Sequence, residues 1–293
     1  MMKAVPKEVG YFKSFDGTKI YYEVRGQGRP LVLAYGIGCL MNHWLPQIKY
    51  FSQKYQVIVF DYRAHHNSEM PLDHSQISID ALARDVHSLT DHLGLTKASF
   101  WGHSFGAQVL LRAFDIRPSS FENLVFVNGF ASDPISSMFG NGLASQAFQL
   151  AKNGFDVAPN TFSYLWKQIV NNPLSVHSTA LLGGFNIQLT SLKDIEIYLK
   201  GVAAMDLNAF LRLFDNMMKY DGRPVYDRIE IPTLVIGGKK DAVTPQKYQE
   251  EMHLKIKKSE FMMVPFGSHC TQLDMPDLVN LRIEKFLHGV SYF

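Results

Sequence analysis

Four short apolar runs dominate the first half of the chain: Leu31-Val32-Leu33-Ala34, Val57-Ile58-Val59-Phe60, Ala98-Ser99-Phe100-Trp101 and Leu124-Val125-Phe126-Val127. Helix-length stretches separate them. Strands without polar alternation must be covered on both faces, and crossovers of that length join strands in parallel, so the rhythm confines the chain to an α/β sheet. Ahead of the runs, Tyr11 to Phe15 and Lys19 to Val24 alternate around Asp16-Gly17, the pattern of an antiparallel hairpin. Ile79, Leu82, Ala83, Val86, Leu89 and Leu93 recur at helical spacing, with Ser78 placed to cap that helix and Gly94 to close it.

From residue 131 to 222 the strand rhythm stops and the chain reads as helices and loops rich in Phe, Met and Leu. It resumes at Thr233-Leu234-Val235-Ile236 and Phe261-Met262-Met263-Val264, followed by an amphipathic helix over 276–287. The expected organisation is a core formed by residues 1–130 and 223–293, interrupted by a helical cap at 131–222. Phe139, Phe148, Phe155, Phe162, Trp166, Phe210, Phe214, Met217 and Met218 are expected mostly to form the cap's own core. Any that face the rest of the chain would make an apolar pocket.

At 293 residues and 46% hydrophobic content the chain can bury a substantial core. Against 27 Asp and Glu stand 29 Lys and Arg, a net charge of +2 that lacks the basic field of a nucleic-acid binder. The partner expected is a small-molecule substrate, with no nucleic acid. Two cysteines, Cys39 and Cys270, support neither a disulfide framework nor a cysteine-based zinc site. Residues 1–15 mix charged and apolar side chains, unlike a secretion signal, and the apolar stretches fall short of the roughly 18 residues of a membrane span. A cytoplasmic location is expected. The oligomeric state stays open.

Gly102-His103-Ser104-Phe105-Gly106 is the sharpest local motif, because it follows an apolar run and opens a segment of helical character. In a nucleophile elbow the serine backbone is strained, and side chains two positions to either side would collide, so glycine stands there. The plain alternative is a glycine-bounded turn from strand to helix. Gly36-x-Gly38 with Asp61 imitates a dinucleotide fingerprint, but Met41 occupies the third glycine's place. His65 and His66 are adjacent, and adjacent side chains rarely converge on one ion. No metal and no cofactor are expected.

The order Ser104, Asp241, His269, with Tyr35-Gly36-Ile37-Gly38, Asp61-Tyr62-Arg63, Gly237-Gly238-Lys239-Lys240-Asp241 and Gly267-Ser268-His269, resembles the α/β-hydrolase superfamily, specifically its small bacterial members with a helical cap. The resemblance covers nearly the whole chain. It implies a mostly parallel central sheet with an N-terminal hairpin, and a catalytic triad of Ser104 as nucleophile, His269 as base and Asp241 as acid. It also implies an oxyanion hole from the backbone amides of Ile37 and Phe105. Asp133 competes for the acid's role, since some relatives take the acid from the loop after the preceding strand. Many relatives carry His-Gly where this chain has Tyr35-Gly36, and glycines where it has Ala64 and His66; the 61–66 stretch reads as structural. His43, Trp44 and Tyr35 lie near the oxyanion loop and are expected to touch substrate. Cys270 reads as a small buried residue.

The function implied is a carboxylesterase-like serine hydrolase cleaving a small, apolar carboxylic ester, thioester or lactone through an acyl-enzyme. A carbon-carbon bond hydrolase on the same triad and a ligand receptor with little turnover remain open beside it. Ser104 disfavours dehalogenase and epoxide-hydrolase chemistry, because those relatives use aspartate as nucleophile.

Overall fold

The computed structural model describes residues 7–135, 143–172, 174–175, 177–178 and 184–293. Eight strands form one sheet: β1 Lys7–Lys13, β2 Lys19–Arg25, β3 Pro30–Ala34, β4 Gln56–Phe60, β5 Ala98–His103, β6 Phe121–Val127, β7 Thr233–Gly238 and β8 Ser259–Val264. Their order across the sheet is β1-β2-β4-β3-β5-β6-β7-β8. β1 and β2 form the expected hairpin around Gly17, at φ 85°, and β2 joins β4 antiparallel. The remaining pairs are parallel.

Burial explains the two sequence textures. β1 is an edge strand that buries only Phe12, so its residues alternate, whereas every residue of β5 and β7 is buried. The helices over the sheet begin with α1 Leu45–Phe51, α2 Ile79–His92 and α3 Phe105–Ile116. Ser78 caps α2 by accepting from the Ala81 amide at 3.2 Å, and Gly94 follows its end at φ 66°. Between β6 and β7 lie the helices Leu143–Val157, Pro159–Val170, Leu192–Ala204 and Leu207–Lys219. Phe148, Leu207 and Leu211 form a small core there with Phe155, Phe162, Trp166, Phe214 and Met218, whereas Met217 joins the main core. Phe139 lies outside the described residues.

The chain reverses its direction of travel across the sheet at β3, whose neighbours are β4 and β5. Loops leaving the carboxyl ends of β3 and β5 therefore diverge and leave a crevice between them, and both loops carry residues singled out above. At the other end of these strands, the Tyr292 hydroxyl donates to the Pro30 carbonyl at 2.6 Å and accepts from the Ser99 amide at 3.1 Å. No helix among the described residues is long and apolar enough to cross a membrane.

Candidate active site

Ser104 sits between β5 and α3 with φ 55° and ψ −124°, a conformation that costs a non-glycine residue on the order of 1–3 kcal/mol. Its neighbours make the turn possible. A Cβ on Gly106 would stand 2.5 Å from the Ala34 carbonyl oxygen, and one on Gly102 would stand 2.9 Å from the Ala107 nitrogen. The Ser104 amide donates to the Val127 carbonyl at 3.1 Å, which ties the turn to the end of β6.

His269 Nε2 lies 2.8 Å from Ser104 Oγ, and its Nδ1 lies 3.0 Å from Asp241 Oδ2. An ionised carboxylate only accepts, so Nδ1 carries the proton and Nε2 presents its lone pair to the serine hydroxyl. Asp241 follows β7, and Gly238 is what lets that strand end meet the histidine loop: a Cβ there would stand 2.4 Å from the Ser268 carbonyl oxygen. The Asp241 side chain is fully buried. Oδ1 accepts from the Val243 and Thr244 amides at 2.9 and 2.8 Å, and Oδ2 from Asn128 Nδ2 at 2.8 Å and Thr244 Oγ1 at 2.6 Å. Such a set of donors holds a buried carboxylate in place and offsets its desolvation.

Asn128 and Thr244, which hold Asp241, carry no signal in the sequence that singles them out. Thr244, three residues after Asp241, reads as part of an ordinary turn. Asn128 takes a left-handed φ of 49°, which asparagine tolerates better than most residues. Asp133, the competing acid, turns its Oδ1 to the Ile135 amide at 2.8 Å and so caps its own turn.

The loop after β3 is braced by the 61–66 stretch. Tyr35 donates to Asp61 Oδ1 at 3.0 Å, and the Tyr62 hydroxyl donates back to the Tyr35 carbonyl at 2.8 Å. Burial pushes the His65 imidazole down to about 3, so it is neutral. Its Nδ1 then donates to the Arg63 carbonyl at 3.1 Å, and Nε2 accepts from the Gly38 amide at 3.4 Å. His66 Nε2 donates to the Cys39 carbonyl at 2.8 Å. Ala64 and His66, standing where relatives often carry glycine, both have positive φ, 59° and 45°.

Of the three residues expected to touch substrate, the cavity beside Ser104 receives His43 alone. Tyr35 is fully buried beneath the loop, with its hydroxyl committed to Asp61. Trp44 is also fully buried; its indole donates to the Ala34 carbonyl at 3.3 Å and packs edge-on against Trp101. Both side chains leave the backbone toward the core, a direction that proximity in sequence does not reveal.

The cavity measures about 230 Å³ and is lined by Ile37, Phe130, Ile135, Phe185, Tyr198, Phe210, Phe214, Met217 and Val243 around Ser104 and His269. No Lys, Arg, Asp or Glu is among its described lining residues. Phe210, Phe214 and Met217 were singled out in the sequence, whereas Phe185 and Tyr198 were not. The Phe105 side chain is buried, and its amide opens α3, where the first N–H groups have no partner within the helix. Cys39, His43 and His103 place ligand-capable atoms within 4.8 Å of one another, a grouping that the expectation of no metal site did not consider.

Comparison with known proteins agrees with this architecture. The family described as "alpha/beta hydrolase fold" matches residues 29–183, and one described as "TAP-like protein" matches 216–290. The chain belongs to the α/β-hydrolase family, and its broad class is hydrolase. The protein named "Putative carbamate hydrolase RutD" from Azorhizobium caulinodans is 26% identical over 269 residues, covering 91% of this chain and 94% of its own length. "Epoxide hydrolase 4" from Homo sapiens is 24% identical over 288 residues, covering 93% and 76%. Among solved structures, a bromoperoxidase from Bacillus anthracis superimposes with a TM-score of 0.79 at 21% identity, over 96% of this chain and all of that one. An esterase from Exiguobacterium antarcticum gives 0.75 at 19% identity, again over 96% of this chain and 100% of its own.

Proposed function

We propose that the protein is a serine hydrolase that cleaves a small, uncharged carboxylic ester, thioester or lactone through an acyl-enzyme. The carrying observation is the chain of contacts Asp241, His269, Ser104, at 3.0 and 2.8 Å, opening on a cavity with no charged residue among its described lining. Serine is a weak nucleophile, so its proton passes to His269 Nε2 as Oγ attacks the carbonyl carbon. Asp241 fixes the imidazole tautomer and stabilises the imidazolium that forms. The amides of Ile37 and Phe105 are assigned to the developing oxyanion. His269 then protonates the leaving group, and water repeats the sequence to free the acid.

The apolar lining supports an acyl or aromatic group without charge, and the helices between β6 and β7 are assigned the role of a cap that sets its size. Aspartate is the nucleophile that epoxide-hydrolase chemistry requires, and the elbow carries serine. A fluorophosphonate probe applied to the protein and to Ser104→Ala tests the reading, together with turnover of aryl esters of graded acyl length. Labelling confined to Ser104 with fast turnover supports it; labelling that persists in Ser104→Ala overturns it. Ligand binding without turnover selects the receptor instead.

A further inference from the structure

One wall of the cavity holds an arrangement that ester hydrolysis does not use. Cys39, His43 and His103 are each at least 95% buried, and their ligand-capable atoms lie within 4.8 Å of one another. From the point where a Cβ on Gly36 would stand, Cys39 Sγ is 3.1 Å away and His103 Nδ1 is 3.4 Å away. Both nitrogens of His43, and Nδ1 of His103, have no hydrogen-bond partner among the described residues. Buried polar atoms are nearly always paired, so three unpaired imidazole nitrogens at one spot call for an explanation.

The setting of His103 is that of a metal ligand. His103 Nε2 lies 2.9 Å from the His269 carbonyl oxygen and must donate to it, which leaves the Nδ1 lone pair facing the group. A ligand imidazole held by a backbone carbonyl through its other nitrogen is the usual orientation at a metal site. Burial, reinforced by His269, pushes His43 down to about 3 and His103 also well down, so both rings are neutral. Burial pushes the Cys39 thiol up, so an ion must displace its proton.

We propose that Cys39, His43 and His103 form a binding site for a soft monovalent cation of the copper(I) type, next to Ser104. One thiolate and two neutral imidazoles suit such an ion by softness. Binding replaces the thiol proton, which leaves for solvent, with the cation; the complex is then neutral, as suits a cavity with no charged side chain among its described lining. A divalent ion would leave a buried positive charge. Ligand atoms around an ion with bonds of about 2.0–2.3 Å stand roughly 3.4–3.8 Å apart, so closure takes shifts of about 1 Å. The occupied site narrows the cavity and competes with substrate, which makes metal a brake on turnover.

Silver(I), a redox-inert probe of the same charge and softness, tests the site in chloride-free buffer, with bound metal measured after gel filtration. One equivalent per chain is expected in the unaltered protein, in Ser104→Ala and in Cys270→Ala, the variant of the other buried thiol. Cys39→Ala should retain less than a tenth of an equivalent, and His43→Phe, which keeps the ring packing, should bind at least 100-fold more weakly. Should Cys39→Ala fail to fold by circular dichroism, His43→Phe carries the test alone. Retention by a folded Cys39→Ala, loss in Cys270→Ala, or zinc(II) bound as tightly as silver(I) overturns the proposal. Metal content reads the site whether or not Ser104 attacks an ester, so failure of the hydrolase reading leaves this result interpretable.

Discussion

The two sides of the cavity are built by different forces. On the sheet side direction rules: Asp241 receives four hydrogen bonds besides His269, and the loop after β3 is pinned at Tyr35, Gly38 and Cys39. On the helical side Phe185, Tyr198, Phe210, Phe214 and Met217 meet the cavity through apolar packing. The helices Leu143–Val157 and Pro159–Val170, which pack beside them, leave Leu150, Val157, Tyr164, Leu165 and Ile169 exposed. Hydrogen bonds fix atoms, whereas apolar contacts are non-directional and fix a volume. Under the proposed function the sheet side therefore governs whether reaction occurs, and the helical side governs what fits.

The largest effect should come from Ser104→Ala, which should lower kcat on the best aryl ester by on the order of 10⁵. Asp241→Asn should follow at on the order of 10⁴, because the amide favours the wrong imidazole tautomer, while Asp133→Asn should stay within about tenfold. The reverse ranking of the two aspartates, in folded proteins, would move the acid to Asp133. Thr244→Val deletes one charge-assisted hydrogen bond to Asp241, a loss of about 10–100-fold in kcat with KM nearly unchanged. If KM rose instead, the bond would belong to pocket shape rather than to the acid.

On the helical side, Phe210→Ala should raise kcat/KM for long acyl chains relative to acetate by about tenfold, leaving acetate within about threefold. Equal losses for both esters would break the division of labour between the two sides. Acid sensitivity is read on stability rather than on turnover. His43 and His65 are pushed from 6.5 to about 3 by burial, so below pH 6.5 the unfolded chain binds protons that the folded chain refuses. Stability is therefore retained above that pH and lost as pH falls toward 3, each histidine contributing up to about 1.4 kcal/mol per pH unit. Urea titrations at pH 7 and 5 should show the loss, and His65→Gln should flatten it.

The sheet was legible because strands buried on both faces leave unbroken apolar runs, and the elbow because its two glycines are dictated by contacts within a few residues and with β3. The meeting of Asp241 and His269 could be read from glycines that permit close approach; Gly238 does so between their two loops. Other features depend on where side chains leave the backbone. Tyr35 and Trp44 adjoin the right loop but point into the core; Phe185 reaches the cavity from outside any helix, and Tyr198 from a helix whose apolar spacing, Ile195, Leu199 and Val202, marks a buried face but not what that face meets. Cys39 and His43 meet His103 only after β3 and β5 pair, so no local spacing announces the group.

The tie made by Tyr292 has a consequence for synthesis. It joins residues 262 and 193 positions apart in the chain, while Ser104 and His269 are separated by 165. At translation rates of about 5–20 residues per second, Ser104 leaves the ribosome about 8–33 s before His269. Until then Ser104 lacks its hydrogen-bond partner, and the amino ends of β3 and β5 lack their clasp. Under the proposed function a nascent chain is thus silent toward esters, and competence arrives late, with the segment that clasps the sheet.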